Sequence, residues 1–435
     1  MISAAREPSV HAPLWVRTRS WRTSVSDEAL PNSPAQVAQA AAAFRWDEGK
    51  AEAGIGIALS GGGFRAMLFH AGALARMNEL GLLSKAKRIS SVSGGSIISG
   101  HLALSWSMLG AVDGNGTYAN FKAVVVDPIL AFSRKKIDVV DALTGLLPWT
   151  SASEQVAKSY DEYLFNGRTL QDTPDTPRFV FCATNLQTGV LWRFAKPYAG
   201  DYVVGHIDHP AIPVAHAVAA SSAFPPVLSP FLLQLPPGSF KSWPEGPTLS
   251  PVELDAFRAR VILSDGGVYD NHGIEPIVKR YLTNFVSDGG APFERTASLQ
   301  IDWISQLRRI LDVTDNQVRA LRRRTLIDRF VQGRKIGDEG KLDPNGDARM
   351  GAYWGIDTDP GKVKPPAAPA SLPCNPAVTH KLAHLGTRLS DLGDLASKQV
   401  INWGYAVCDG SLRANYVGPM HVTPPQLPYP DAPLA

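Results

Sequence analysis

Twice before residue 100 a short apolar run breaks into glycines and reopens as an apolar stretch of helical length. Residues 54–59 (GIGIAL) are followed by Ser60-Gly61-Gly62-Gly63-Phe64-Arg65 and then by 66–80 (AMLFHAGALARMNEL). Residues 88–92 (RISSV) are followed by Ser93-Gly94-Gly95 and then by SIISGHLALSWSML. Each unit reads as strand, tight turn, helix. Two in direct succession bring the second strand back beside the first in parallel, so the chain is expected to fold as α/β around a mostly parallel sheet. The 66–80 stretch is apolar nearly all round, which predicts a buried helix, stopped at Gly81. Further strands are expected at 178–184, 190–195 and 259–264, and helices at 213–222 and 274–286. Residues 303–331 read as a helix with a break near Asp312, and 378–412 as helix-rich. The run DPGKVKPPAAPASLPCNP between them reads as a surface loop. No internal repeat is visible.

At roughly 100–200 residues per domain, 435 residues allow two or three domains, although large α/β enzymes also run as one unit. Hydrophobic residues make up 44% and charged residues 19%, enough for a sizeable core and unlike a disordered chain. A formal charge of +3 offers no electrostatic footprint for nucleic acid, and none is expected as a partner. Cys182, Cys374 and Cys408 are widely spaced, without a CxxC pair, which points to neither a zinc site nor a disulfide framework. The first residues lack an apolar core of signal-peptide length, and no run approaches the ~18 apolar residues of a spanning helix. The expectation is a soluble, cytoplasmic protein that meets membranes only peripherally. Its organisation is expected as an arm with a short helix around 36–44 (residues 1–50), a catalytic region (51–300), and a helix-rich C-terminal extension packed on it (301–435), with a proline-rich loop near 357–376.

The Gly61-Gly62-Gly63 turn frees the backbone to aim several N–H groups at one point. The helix N-terminus behind it favours an anion there, either a phosphate or a reaction oxyanion. Phosphate motifs fit poorly: there is no G-x-x-x-x-G-K-[ST], and Leu59 stands where G-x-G-x-x-G needs glycine. A plain tight turn accounts for a lone Gly-Gly-Gly equally well. Ser91-Val92-Ser93-Gly94-Gly95 has the small residues that let a serine project from a sharp strand-to-helix turn, though G-x-S-x-G has glycine where Ser91 stands. A helix N-cap is the bland alternative. A nucleophilic serine needs a base. The strand ending in Asp265-Gly266-Gly267 offers a carboxylate at a strand end, which burial would make more basic. The same three residues also suit a turn.

The order GGGFR, serine turn, Asp-Gly-Gly resembles the patatin-like phospholipase family over residues 54–280. Ala219-Ala220-Ser221-Ser222-Ala223-Phe224-Pro225 is similar to that family's A-S-x-A-x-P helix end, and Cys182-Ala183-Thr184-Asn185 with Thr188-Gly189 to the strand and turn before it. The resemblance implies a three-layer α/β/α fold, Ser93 as nucleophile and Asp265 as its base without a catalytic histidine. It further implies an oxyanion hole from Gly61, Gly62 and Gly63 with Arg65 ordering the loop, supporting roles for Gly95, Gly266 and Gly267, and neither cofactor nor metal. The implied activity is hydrolysis of phospholipid acyl esters. Ser91 departs from the family's usual glycine, and Ala66 stands where many members carry another glycine.

Two rival readings remain. One is a non-enzymatic lipid- or partner-binding protein on the same fold. The other is a Ser-His-Asp esterase of small soluble esters using His70, His101, His216 or His272. Residues 139–149, preceded by Arg134, Lys135 and Lys136, suit a membrane-facing lid or a buried cap helix. Phe224–Leu228 and Phe231–Leu233 suit an acyl wall or ordinary core. Arg308-Arg309 and Arg322-Arg323-Arg324 read as a solvated, salt-bridged face, with lipid headgroups or nucleic acid as the sharper alternatives. His380 and His384, spaced i, i+4, read as a solvated helix face without a third zinc ligand.

Overall fold

The computed structural model describes residues 50–135, 137, 149–243, 247 and 249–435. The expected arm and helix within residues 1–49, and most of the apolar stretch at 139–149, fall outside them. Strand β1 (Glu52–Leu59), helix α1 (Gly63–Glu79), strand β2 (Ala86–Val92) and helix α2 (Gly94–Ser105) realise the two repeated units. The chain then passes α3 (Asp127–Ser133) and α4 (Trp149–Tyr160) to β3 (Arg178–Asn185). An antiparallel meander follows in β4 (Leu191–Phe194), β5 (Tyr198–Asp201) and β6 (Gly205–Asp208). Helix α5 (Val214–Ser221), β7 (Phe231–Leu233) and α6 (Pro251–Ala259) lead to β8 (Val261–Asp265). Two one-turn helices, α7 (Gly267–Asp270) and α8 (Glu275–Val278), deliver the chain to β9 (Tyr281–Asp288). Helix α9 (Trp303–Ile336), β10 (Met350–Gly355), α10 (Pro376–Ala383) and α11 (Asp394–Asn415) complete it.

The strands form one sheet in the order β10-β9-β1-β2-β3-β4-β5-β6, with β8 on β3 and β7 on β8. Neighbours from β10 to β3 are parallel. Side chains alternate across a strand, so a sheet covered on both faces feeds two cores. Ile57 and Leu59 of β1 enter one core with α1, α2 and α11, while Ala58 enters another with α8 and α9. Phe285 and Val286 of β9 divide the same way. Helices therefore cover both faces, as a three-layer α/β/α arrangement requires.

Two expected elements differ. The helix foreseen at 274–286 is one turn, Glu275–Val278, followed by strand β9. Every residue of β9 is buried, including the polar Thr283, Asn284, Ser287 and Asp288, so no apolar/polar alternation marks it as a strand in the sequence. The break foreseen near Asp312 is absent, since α9 runs 34 residues without interruption. It begins at an Asp302 N-cap that accepts from the Ser305 N–H and ends at Gly337 in the left-handed region. Asp312 and Thr314 cost only tenths of a kcal/mol each as poor helix formers. Tertiary anchors outweigh that: Arg319 reaches Asp288 at 3.3 Å and Arg322 reaches Asp270 at 3.7 Å.

The all-round burial of α1 comes from α11. A Cβ on Gly72 would lie 1.8 Å from the Ile401 carbonyl, and one on Gly404 would lie 1.9 Å from that of Phe69. The two helices cross with each backbone seated in the other's glycine gap. Residues 301–435 are thus built into the structure from which β1 and α1 come: β10 extends the sheet and α11 roofs α1.

Candidate active site

The site arises from the way one edge of β3 is shared. β4 occupies one edge along Phe181–Thr184. On the other edge β2 runs parallel and stops at Val92, opposite Cys182. β8 arrives antiparallel on that edge and stops at Asp265, opposite Ala183, the next residue. Two strands thus meet end to end, C-terminus against C-terminus. The residue after β2, Ser93, faces the last residue of β8, Asp265, across no more than a side-chain contact.

Ser93 sits at φ 51° and ψ −118°, a backbone conformation that L-residues with side chains rarely adopt. Such strain persists only where neighbours over-determine it. The Ser93 N–H donates to Ser221 Oγ at 3.0 Å, and Ser221 Oγ donates to the Cys182 carbonyl at 2.7 Å. Ser96 Oγ bridges Ser91 and Ser221 at 3.0 and 2.8 Å. The hydroxyl at position 91, where glycine is usual, is therefore accommodated as part of a buried serine cluster. Gly95 is required by contact, because a Cβ there would lie 2.4 Å from the Leu59 carbonyl.

The segment that holds Ser93 also holds Asp265. The Asp265 N–H donates to the Ala223 carbonyl at 2.9 Å, and the Gly266 N–H to that of Ser221 at 3.2 Å. Thr184 Oγ1 donates to the Asp265 carbonyl at 2.8 Å. The carboxylate accepts the Gly267 N–H at 2.7 Å and the Ser93 hydroxyl. Burial pushes its pKa from the ordinary 3.8 up to about 7; the Gly267 and Ser93 bonds oppose the rise, and the charge of Asp315 adds to it. Ser93 is 8% exposed and Asp265 4%, so both side chains lie almost wholly below the surface. Phe224, next to Ala223, and Val268, three residues after Asp265, are exposed, whereas Leu228, Phe231 and Leu233 belong to the core.

The three turn glycines are not equivalent. A Cβ on Gly61 would lie 3.2 Å from Ser93 Cβ, so the turn abuts the serine. The Gly61 N–H, however, is spent on the Asn271 carbonyl at 3.0 Å. Those of Gly62 and Gly63 take part in no such bond among the described residues, and they head α1. Arg65 lies beneath, its guanidinium donating to the Gly289 carbonyl at 3.2 Å, to Thr387 Oγ1 at 3.0 Å and to the Leu385 carbonyl. Residues 385–388 also accept the Phe64 N–H through the Arg388 carbonyl at 3.0 Å. Asn271 and the 385–388 loop had no sequence signal. Ser221 lay within a motif, but its contact with Ser93 is a matter of tertiary geometry.

The candidate histidines are engaged elsewhere. His70 bonds Ser287 Oγ at 2.8 Å and the Ser60 carbonyl at 2.9 Å, and burial pushes its pKa down to about 4. His101 bonds the Val124 carbonyl at 2.9 Å. His272 Nε2 faces Asp288 at 3.1 Å, and His216 packs against the Phe231 ring. His380 and His384 stack on each other, 4.1 Å between centroids. Arg319, Arg322 and Arg323 all pair with carboxylates of the body. Cys182, Cys374 and Cys408 are free thiols.

Among solved structures, human GIVD cytosolic phospholipase A2 aligns at 13% identity and TM-score 0.44, over 81% of this chain and 58% of that one. VipD from Legionella pneumophila aligns at 12% identity and TM-score 0.33, over 82% of this chain and 66% of that one. The chain thus spans less than two thirds of either. No curated protein matches it. The family model for patatin-like phospholipases matches residues 57–278, just over half of the chain and the whole span from β1 through Ser93 and Asp265 to α8. The chain belongs to the patatin-like phospholipase family.

Proposed function

We propose that this chain is a serine lipid acyl hydrolase of phospholipase A type, cleaving fatty-acyl esters of membrane phospholipids through Ser93 and Asp265. The observation that carries the reading is the end-to-end meeting of β2 and β8, which sets a strained serine against a buried carboxylate with a pKa of about 7. A base near neutrality combines the ionised form with real proton affinity, which a solvated aspartate lacks. Asp265 takes the Ser93 proton as Oγ attacks the ester carbonyl. The N–H groups of Gly62 and Gly63 receive the oxyanion, each worth on the order of 3–4 kcal/mol of barrier. Protonated Asp265 returns the proton to the departing alcohol, leaving an acyl-serine. Water, deprotonated by the same carboxylate, attacks that ester and releases the fatty acid and the free serine.

Fatty-acid release from a panel of phospholipids and neutral esters tests the proposal. Wild type is expected to release fatty acid and to label at Ser93 with a fluorophosphonate. Ser93→Ala and Asp265→Asn are each expected to lose release by at least about a thousandfold while remaining folded. Wild-type turnover by Ser93→Ala would overturn the nucleophile, and absence of both turnover and labelling in wild type would favour a binding protein on this fold.

A further inference from the structure

Among the described residues, the first half of α9 exposes an apolar stripe. Trp303 is 74% exposed, Ile304 61% and Ile310 58%, with Leu307, Leu311 and Leu321 also at least half exposed. At 3.6 residues per turn these positions fall on one side of the helix. A core-facing helix would bury that side. Asp312 falls on the opposite side, and Asp315, beyond the edge of the stripe, pairs with Arg319 of the same helix at 3.8 Å. The stripe itself carries no carboxylate. Exposed Arg308 and Arg324 border it on either side.

Helix α9 is anchored near the candidate active site. Arg322 packs over Tyr269 of α7, the turn immediately after Asp265, at 5.0 Å, and Arg319 pairs with Asp288 at 3.3 Å. The stripe lies on the turns N-terminal to that anchor.

We infer that the N-terminal half of α9 seats the protein on an anionic lipid surface and brings Ser93 to its substrate, an inference that rests on the lipid-hydrolase reading. An apolar helical face flanked by arginines lies in the plane of a bilayer interface, apolar residues among the acyl chains, guanidinium groups at the phosphates and tryptophan at the boundary. A second copy fits less well, because both borders of the stripe carry an exposed arginine and self-pairing sets like charges side by side.

The experiment compares full-length wild type, Leu307→Glu/Leu311→Glu and Ser93→Ala. Read-outs are co-sedimentation with phosphatidylglycerol–phosphatidylcholine vesicles, release of fatty acid from them, and hydrolysis of a monomeric soluble ester. Both leucines are exposed, so the double variant should fold. It is expected to lose vesicle binding and vesicle turnover by on the order of tenfold or more, with soluble-ester hydrolysis unchanged. Ser93→Ala is expected to sediment like wild type while losing both hydrolyses, so failure of docking and failure of the chemistry read out separately. Equal sedimentation of the double variant and wild type overturns the inference. A wild-type dimer that the double variant converts to monomer assigns the stripe to a second copy and overturns it as well.

Discussion

At the scale of single residues, Asp265 is governed by a contest between burial and hydrogen bonding that burial wins. As the proposed base it must be ionised, so kcat/KM for a monomeric ester is expected to rise with pH through an apparent pKa of about 7. The stability consequence runs the same way in pH with the opposite sign of benefit. A folded-state pKa above the unfolded one makes Asp265 stabilising below the unfolded value near 3.8, and that contribution is lost as pH rises through about 7. Asp265→Asn should therefore flatten the decline in stability across that window, read by denaturant titration at several pH values. Ser221→Ala removes the acceptor of the Ser93 N–H, leaving a buried amide unpaired at a cost of roughly 1–3 kcal/mol. kcat is expected to fall on the order of ten- to a hundredfold with KM little changed, measured by steady-state kinetics. Ser93 and Asp265 were legible because their turn chemistry is local. Ser221's role was not, because it depends on which helix end packs against the elbow.

At the scale of elements, the α1–α11 crossing is the most exacting contact. Gly72→Ala or Gly404→Ala drives a methyl into the opposing backbone carbonyl, which no rotamer change relieves. Overpacking of this kind costs on the order of 1–3 kcal/mol or more, and a drop in Tm by several degrees is expected in thermal unfolding of either variant. Strands β9 and β10 escaped sequence reading for different physical reasons. β9 lacks alternation because both its faces are buried. β10, Met-Gly-Ala-Tyr-Trp-Gly, has little strand propensity, and it needs Gly351 because a Cβ there would lie 1.8 Å from the Asn284 carbonyl of β9. The continuous α9 shows the converse, local breakers overruled by anchors that lie far away in sequence.

At the scale of the whole molecule, Asp288 is the knot that joins the C-terminal elements to the sheet. Its buried carboxylate accepts from Tyr353 at 2.7 Å, His272 at 3.1 Å, Arg319 at 3.3 Å and the Gly290 N–H at 2.9 Å. The Arg319 charge beside it holds its pKa well below the ordinary carboxylate range despite burial. A depressed folded pKa gives stability that is present above the unfolded value and is lost as pH falls through the folded one. Asp288→Ala leaves Arg319 buried without its main partner and is expected to destabilise by about 3–5 kcal/mol, measured by denaturant unfolding at neutral pH. Among the described residues no helix is long and apolar enough to cross a membrane. The sequence by itself determined the α/β frame, the glycine turn, the serine turn and the Asp-Gly-Gly strand end, because glycine conformation, turn chemistry and apolar runs act between near neighbours in the chain. Only the tertiary structure decided that β2 and β8 share one edge of β3, that the Gly61 N–H is already engaged, and that residues beyond 301 complete the sheet. Those outcomes depend on pairings between segments far apart in the chain, such as Gly61 with Asn271, which no local pattern encodes.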